Sequence, residues 1–379
     1  MMWVGFEGTV APPELLAALQ AGHVGGTILF KRNLAFTSAG STSPPGPAGA
    51  WTGTASVGMD VVDIEALCAL NRSLHAVSPA GIPAVTSVDQ EGGVVQRVRA
   101  PATQWPPMMA FDRLGSPEDE EIARRAGRFM GTELRAMGFD IDFAPVLDVH
   151  TNPANPIIGD RAFGTDPDAV ARRAIAFAHG LAEAGIWACG KHFPGHGDTL
   201  TDSHLELPWV THDQARLEAV ELVPFARAAA AGIPLMMTAH VMYPALDAAH
   251  PATLSEAILT GILRKRFGYQ GLIISDDLDM KAISADRGAD AAAVAAVQAG
   301  CDVLLCCRDP ETQARVREAL IKAWESDSTL RSRIGESVAR IEAAKRELVA
   351  LQTASHVIPR AEDIGGFEHR RLADKLAGR

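Results

Sequence analysis

The chain has 379 residues, 47% of them hydrophobic and 21% charged, the balance of a soluble globular protein with room for one large α/β barrel or two medium domains. Its formal net charge of −11, spread along the chain, serves solubility and lacks the basic footprint that nucleic acid demands. No apolar run reaches the length of a membrane span, and the start MMWVGFEGTVAPPELL, interrupted early by Glu7, has no basic region leading into an apolar one.

In chain order, MMWVGF (1–6) and GGTILF (25–30) read as two short apolar strands. From Phe36 to Gly58 no side chain is charged and Ser, Thr, Gly and Pro dominate, which reads as a flexible insertion after the second strand, with a lid over an active face as the alternative. IPAVTSV (82–88) is the third strand, and PEDEEIARRAGRFMGTELRAMG the helix-like stretch after it. FDIDFAPVLDV (139–149) and GIWACG (185–190) are the next two. Then comes KHFPGHGDTLTDSH (191–204), where three histidines, two aspartates and a lysine are threaded with proline and two glycines. It reads as neither a helix face nor a strand. HDQARLEAVELVPFARAAAAG has apolar residues at helical spacing and ends on a glycine that can cap it. IPLMMTA (233–239), GLIIS (271–275) and CDVLLCC (301–307) complete the strands.

Five cysteines form no C-x-x-C pair, and their odd number fits reduced thiols in the cytoplasm. Cys301, Cys306 and Cys307 lie in an apolar run and are expected to be buried thiols, not metal ligands. Beyond Arg308, RIGESVARIEAAKRELVAL carries Ile334, Val338, Ile341, Leu348 and Leu351 on one helical stripe, expected to pack on the rest of the molecule.

Continuous apolar strands alternating with helices imply a parallel sheet covered on both faces. Eight such units predict a (β/α)8 TIM-like barrel over residues 1–310, with residues 311–379 as a C-terminal helical segment packed on it. A doubly wound sheet is the rival fold, but no glycine-rich phosphate turn follows the first strand.

The residues that end the apolar runs form a pattern. Asp89 follows the third run. Asp148 ends the fourth, with Arg161 just beyond it. Lys191 and His192 follow the fifth, His240 the sixth, Asp276 and Asp277 the seventh, and Arg308 the last. In a parallel barrel these positions ring the C-terminal mouth, where active sites of that fold lie. Polar groups at six strand ends exceed what a bare scaffold requires. The set lacks a serine elbow and suits a polyhydroxylated ligand, and Asp276 on a rigid strand end could attack an electrophilic carbon.

The stretches DQEGG, KHFPGHGDTLTDSH, MTAHVMYPALDAAHPATLS and GLIISDDLDM resemble glycoside hydrolase family 3, in particular its single-domain bacterial β-N-acetylglucosaminidases, from about Trp3 to Arg308. The resemblance implies Asp276 as nucleophile, Asp202 and His204 as the acid/base pair on the loop after the fifth strand, and Asp89, Arg161, Lys191 and His192 as holders of the sugar's hydroxyls. His196 and Asp198 are expected to shape the loop, whose glycines would let it close over the sugar. His240 could be structural or a ligand, and Asp277 and Asp148 are expected to hydrogen-bond within the mouth. The implied partner is a carbohydrate containing N-acetylglucosamine, most naturally a cell-wall fragment. No cofactor, metal, nucleic acid or membrane is expected, and the chain is expected to be a monomer or weak homodimer. Phosphorolysis and β-glucosidase activity remain open within the family. A metal-dependent barrel hydrolase would usually need an early His-x-His, which the chain lacks, and a dead sugar-binding barrel could have lost Asp276 or His204, which the chain has.

Overall fold

The computed structural model describes residues 1–37, 61–79, 82–115, 117–201, 206–283 and 288–379. Most of the 36–58 insertion, together with Asp202 and His204, lies outside the described residues.

Eight parallel strands close into a barrel: β1 (Met2–Val4), β2 (Gly26–Leu29), β3 (Val85–Val88), β4 (Ile141–Asp142), β5 (Trp187–Phe193), β6 (Leu235–Thr238), β7 (Leu272–Asp277) and β8 (Val303–Cys306). Each pairs with its neighbour in the chain, and β8 closes on β1 with Val4 opposite Cys306. This is the (β/α)8 architecture expected from the alternating runs.

Period-2 alternation divides each strand between two cores. Trp3, Ile28, Val85, Ile141, Trp187, Leu235, Leu272 and Val303 fill the barrel interior. Their neighbours Val4, Leu29, Val88, Ala188, Met236, Ile273 and Leu304 face the helices. Full burial of a large apolar side chain contributes about 1.5–3 kcal/mol, so a one-residue slip in any strand would exchange two buried faces at once. Several of the surrounding helices start on aspartates that accept hydrogen bonds from the first-turn amides, as Asp63, Asp166 and Asp309 do for helices Ile64–His75, Pro167–Glu183 and Pro310–Ser326. No described helix is long and apolar enough to cross a membrane.

Two strands depart from expectation. The run 139–149 keeps regular strand geometry only at Ile141–Asp142. Pro145 has no N–H to give a ladder, and the rest of the run continues as irregular backbone tied to β5 by Cys189 N–H to Ala144 O at 2.8 Å and Leu147 N–H to Lys191 O at 2.6 Å. Conversely, β5 runs to Phe193, so Lys191 and His192 stand inside a strand and not in the loop after it.

The N-terminal end of the barrel is closed by the long helix Ser328–Ala354, whose Ile341 and Leu348 join the interior core. Val338 is not on the buried stripe and is exposed; Ser337, one helical step round, takes its place, giving buried positions 330, 334, 337, 341, 345 and 348. Lys345 donates to Gly25 O at 2.6 Å and Pro83 O at 2.9 Å. Asp302, fully buried just before β8, accepts from Arg333 at 2.9 Å, Arg340 at 2.7 Å and Ser337 at 2.9 Å, and also pairs with Arg264.

The thiols give a pH dependence. Cys189, Cys301, Cys306 and Cys307 are buried, and burial pushes all four up. A thiol in the unfolded chain ionises near pH 8.5, so above that pH the unfolded state releases protons that the folded state keeps, and stability falls at about 1.4 kcal/mol per pH unit for each thiol. Lys345 opposes this, because burial holds its amine down to about 8 and stability rises by the same amount per unit between there and its ordinary value near 10.5. Four thiols outweigh one amine. The urea midpoint is therefore expected to drop steeply between pH 8.5 and 10, and less steeply in a Cys189→Ala, Cys301→Ala double variant; equal slopes would show that the thiols do not govern it.

Candidate active site

At the C-terminal end of β3 the chain continues into a tight ribbon, Gln90–Gly92 pairing with Val95–Gln96, so Asp89 and Glu91 leave the strand on a braced turn. Lys191 of β5 reaches across the mouth and bonds Asp89 Oδ1 at 2.8 Å and Glu91 Oε1 at 2.5 Å. Arg161, from the short helical turn Gly159–Arg161, makes a bidentate pair with Glu91 at 2.7 and 2.9 Å. Three of the four expected sugar-holding residues thus form one ring of charge.

Burial penalises every ion in that ring, and opposite charge outweighs it. Glu91 is held down to about 2 by Arg161 and Lys191, and Asp89 is held low by Lys191 and Arg97. Lys191 and Arg161 are correspondingly pushed up by the same carboxylates. All four stay charged across the physiological range. Lys191 and Glu91 are each only 2% exposed, whereas Asp89 keeps 14%, so Asp89 is the better placed to meet a ligand, and Lys191, itself fixed by Glu91, holds it there.

His192, the fourth expected residue, belongs to a second cluster. Its Nδ1 meets Asp148 Oδ2 at 2.7 Å, and Asp148 also accepts from the His196 N–H at 2.6 Å. Burial would raise the Asp148 carboxyl, but His192 brings it below its ordinary value. Burial and the neighbouring His192 lower His196 to about 4, so it is a neutral ring, bonded through Nδ1 to Thr199 Oγ1 at 2.7 Å. Asp198 pairs with His212 and accepts from Thr151 Oγ1 at 3.2 Å, which ties the chain before residue 202 to the chain after residue 205. The loop's glycines serve close packing at its base: Gly195 has φ +134°, and a Cβ on Gly197 would lie 1.8 Å from Val149 O.

Asp276 and Asp277 end β7 on the same mouth. The Cys189 thiol inside the barrel lies within the fields of Lys191, Asp89 and Asp276 together. Asp276 is half-buried, and its Oδ1 accepts from the Asp277 N–H at 2.8 Å. Asp277 accepts from the Asp279 and Cys307 amides at 3.1 and 3.0 Å, and burial with Asp279 beside it raises its carboxyl to about 6. His240 is fully buried, bonded to Thr253 Oγ1 at 2.8 Å and donating to Asp277 O at 3.1 Å, so it braces β6 against β7. Arg308 is exposed, and its backbone N–H is tied to Asp279 at 2.9 Å.

Sequence reasoning passed over Glu91, the carboxylate that ties Lys191 to Arg161. Its position two residues after Asp89 in DQEGG was the only local signal. The described part of the site can bind several hydroxyls in fixed directions and offers Asp276 on a rigid strand end, beside an Asp277 that is taken up by the Asp279 and Cys307 amides.

Residues 13–344 match the family described as "Glycosyl hydrolase family 3 N terminal domain". The chain is 38% identical to a β-hexosaminidase of Thiobacillus denitrificans over 311 residues, covering 81% of this chain and 78% of that protein. It is 39% identical to a β-hexosaminidase of Alkalilimnicola ehrlichii over 314 residues, covering 82% and 81%. Among solved structures it is similar to a glycoside hydrolase family 3 β-N-acetylglucosaminidase from Paenibacillus, with TM-score 0.86 and 36% identity over 99% of this chain and 66% of that one. It is also similar to NagZ from Neisseria gonorrhoeae in complex with N-trifluoroacetyl-D-glucosamine, with TM-score 0.75 and 31% identity over 100% of this chain and 96% of that one.

Proposed function

The chain belongs to glycosyl hydrolase family 3, and from that premise we propose that it is a β-N-acetylhexosaminidase that removes terminal β-linked N-acetylglucosamine with retention of configuration. The observation that carries the reading is the Asp89–Lys191–Glu91–Arg161 ring on the mouth that also presents Asp276. Charged groups locked by one another hold hydroxyls in fixed directions without reorganising, which is what orienting a sugar ring requires.

Asp276 attacks the anomeric carbon and forms a glycosyl ester, while protonated His204 gives its proton to the departing oxygen. Neutral His204 then takes a proton from water, the hydroxide adds to the anomeric carbon, and the Asp276 carboxylate is released. Asp202 accepts a hydrogen bond from the other imidazole nitrogen, which sets the tautomer and favours the protonated form. These two roles rest on the family resemblance, since both residues lie outside the described part. Asp89, Arg161, Lys191 and His192 bind and orient the sugar, and cell-wall fragments are the natural source of such a terminus.

The test is turnover of aryl β-glycosides with and without phosphate. The N-acetylglucosaminide is expected to be cleaved in preference to the glucoside, releasing free sugar at a rate independent of phosphate. An equal or better rate on the glucoside would overturn the assignment, and a sugar phosphate as product would replace hydrolysis by phosphorolysis.

A further inference from the structure

Asp142, the last residue of β4, is fully buried beneath the ring of charge. Its Oδ1 accepts a hydrogen bond from the Gln90 N–H at 2.9 Å, while its Oδ2, equally out of solvent, has no hydrogen-bond partner among the described residues. Gln90 stands between Asp89 and Glu91, the two carboxylates that Lys191 and Arg161 bind. The Gln90 side chain is itself clamped, with Oε1 accepting from Val98 N–H at 3.0 Å and Nε2 donating to Val98 O at 2.7 Å. The short stretch that carries both carboxylates is thus tied by its side chain to the ribbon and by its backbone to Asp142.

We propose that Asp142 is a positioning residue of the sugar site, which holds the Gln90 backbone so that Asp89 meets Lys191 and Glu91 meets both Lys191 and Arg161. A backbone slip at Gln90 would move both carboxylates at once, because they flank it. The choice of a carboxyl is intelligible from charge. Burial pushes Asp142 well above the ordinary carboxylate range, with Asp89 and Glu91 adding, although Gln90 and Lys191 pull the other way. The uncharged form that burial favours supplies the acceptor without adding a third anion to the two that Lys191 and Arg161 already offset. An asparagine has the same shape, the same acceptor and no charge, so it is expected to replace Asp142 where alanine does not.

Two readouts test this, and only the second rests on the reading of the mouth as a sugar site. The first is backbone hydrogen exchange of residues 89–92: Asp142→Ala is expected to speed it about tenfold or more with exchange in β7 unchanged, and Asp142→Asn to leave it within about twofold of wild type. The second is calorimetric affinity for N-acetylglucosamine, where Asp142→Ala is expected to raise Kd about tenfold or more and Asp142→Asn to restore it. Should the alanine variant not fold, Asp142→Ser, whose hydroxyl is too short to reach Gln90, replaces it under the same limits. Unchanged exchange at 89–92 in Asp142→Ala, or Asp142→Asn behaving like the alanine variant, overturns the proposal. A wild-type protein that does not bind the sugar overturns the functional reading instead, and the exchange measurement still decides the role of Asp142.

Discussion

Asp276→Ala is expected to lower kcat on an aryl β-N-acetylglucosaminide by on the order of 10⁴-fold or more while the protein keeps its fold. The size of the loss follows from the route. Without the carboxylate no glycosyl ester forms, and water would have to displace the aglycone directly at a site shaped to place a carboxylate there. The retention of fold follows from where Asp276 stands. Residues Leu272–Ser275 carry the buried part of β7, whereas Asp276 is half-buried at the strand end, and of its contacts the bond from Asp277 N–H is one that a water could replace. Asp276→Asn, which keeps the shape and that acceptor, should lose as much, because an amide oxygen is a poor nucleophile. The melting temperature should stay within a few degrees in both variants. Near-normal turnover in either would place the nucleophile elsewhere.

The barrel was legible because each strand is a continuous apolar run, and the parallel-sheet burial that makes it so is independent of what the loops do. The position of Asp276 was legible for the same reason: the end of a run is the end of a strand. What local pattern could not give was the pairing. Lys191 and Asp89 are 102 residues apart, and only the pairing of β3 and β5 on either side of β4 brings them close enough for a 2.8 Å bond. Glu91 was missed on that ground, since within DQEGG it is one more acid in a turn, and its importance comes from two cations supplied by distant elements. His192 likewise resembled Lys191 as a neighbour in sequence, yet the two feed different carboxylates, Asp148 and the Asp89–Glu91 pair.

The misjudged details also share physical causes. FDIDFAPVLDV looked like one long strand because hydrophobicity does not register that Pro145 cannot donate to a ladder. Val338 lies one turn on from Ile334 on a helical projection, but Ser337 is buried in its stead, where Asp302 offers its hydroxyl an acceptor at 2.9 Å. The glycines of KHFPGHGDTLTDSH suggested mobility, but Gly197 is required by the approach of Val149 O, so the base of that loop is anchored by close packing and by the Asp198–His212 pair.

An anchored base bears on the acid/base role assigned to the loop, and the sharpest expectation concerns His204. Leaving groups differ in how much they need a proton. General acid catalysis contributes about 10²–10⁴-fold where the departing oxygen is a poor leaving group, as in a second sugar, and little where an activated phenolate can depart as an anion. His204→Ala should therefore slow cleavage of a natural disaccharide by about that factor, yet keep rapid glycosylation with a dinitrophenyl N-acetylglucosaminide. Deglycosylation also needs His204, as the base that activates water, so it should become the slow step: a burst of dinitrophenolate, then a slow steady rate. Azide needs no deprotonation to attack the glycosyl ester, and adding it should raise that steady rate and yield a β-glycosyl azide. Asp202→Asn should show a weaker form of each effect, because it alters the tautomer and basicity of the imidazole and leaves the imidazole in place. If His204→Ala slows both substrates equally and azide changes nothing, the proton donor is another residue, and the loop binds the substrate without taking part in proton transfer.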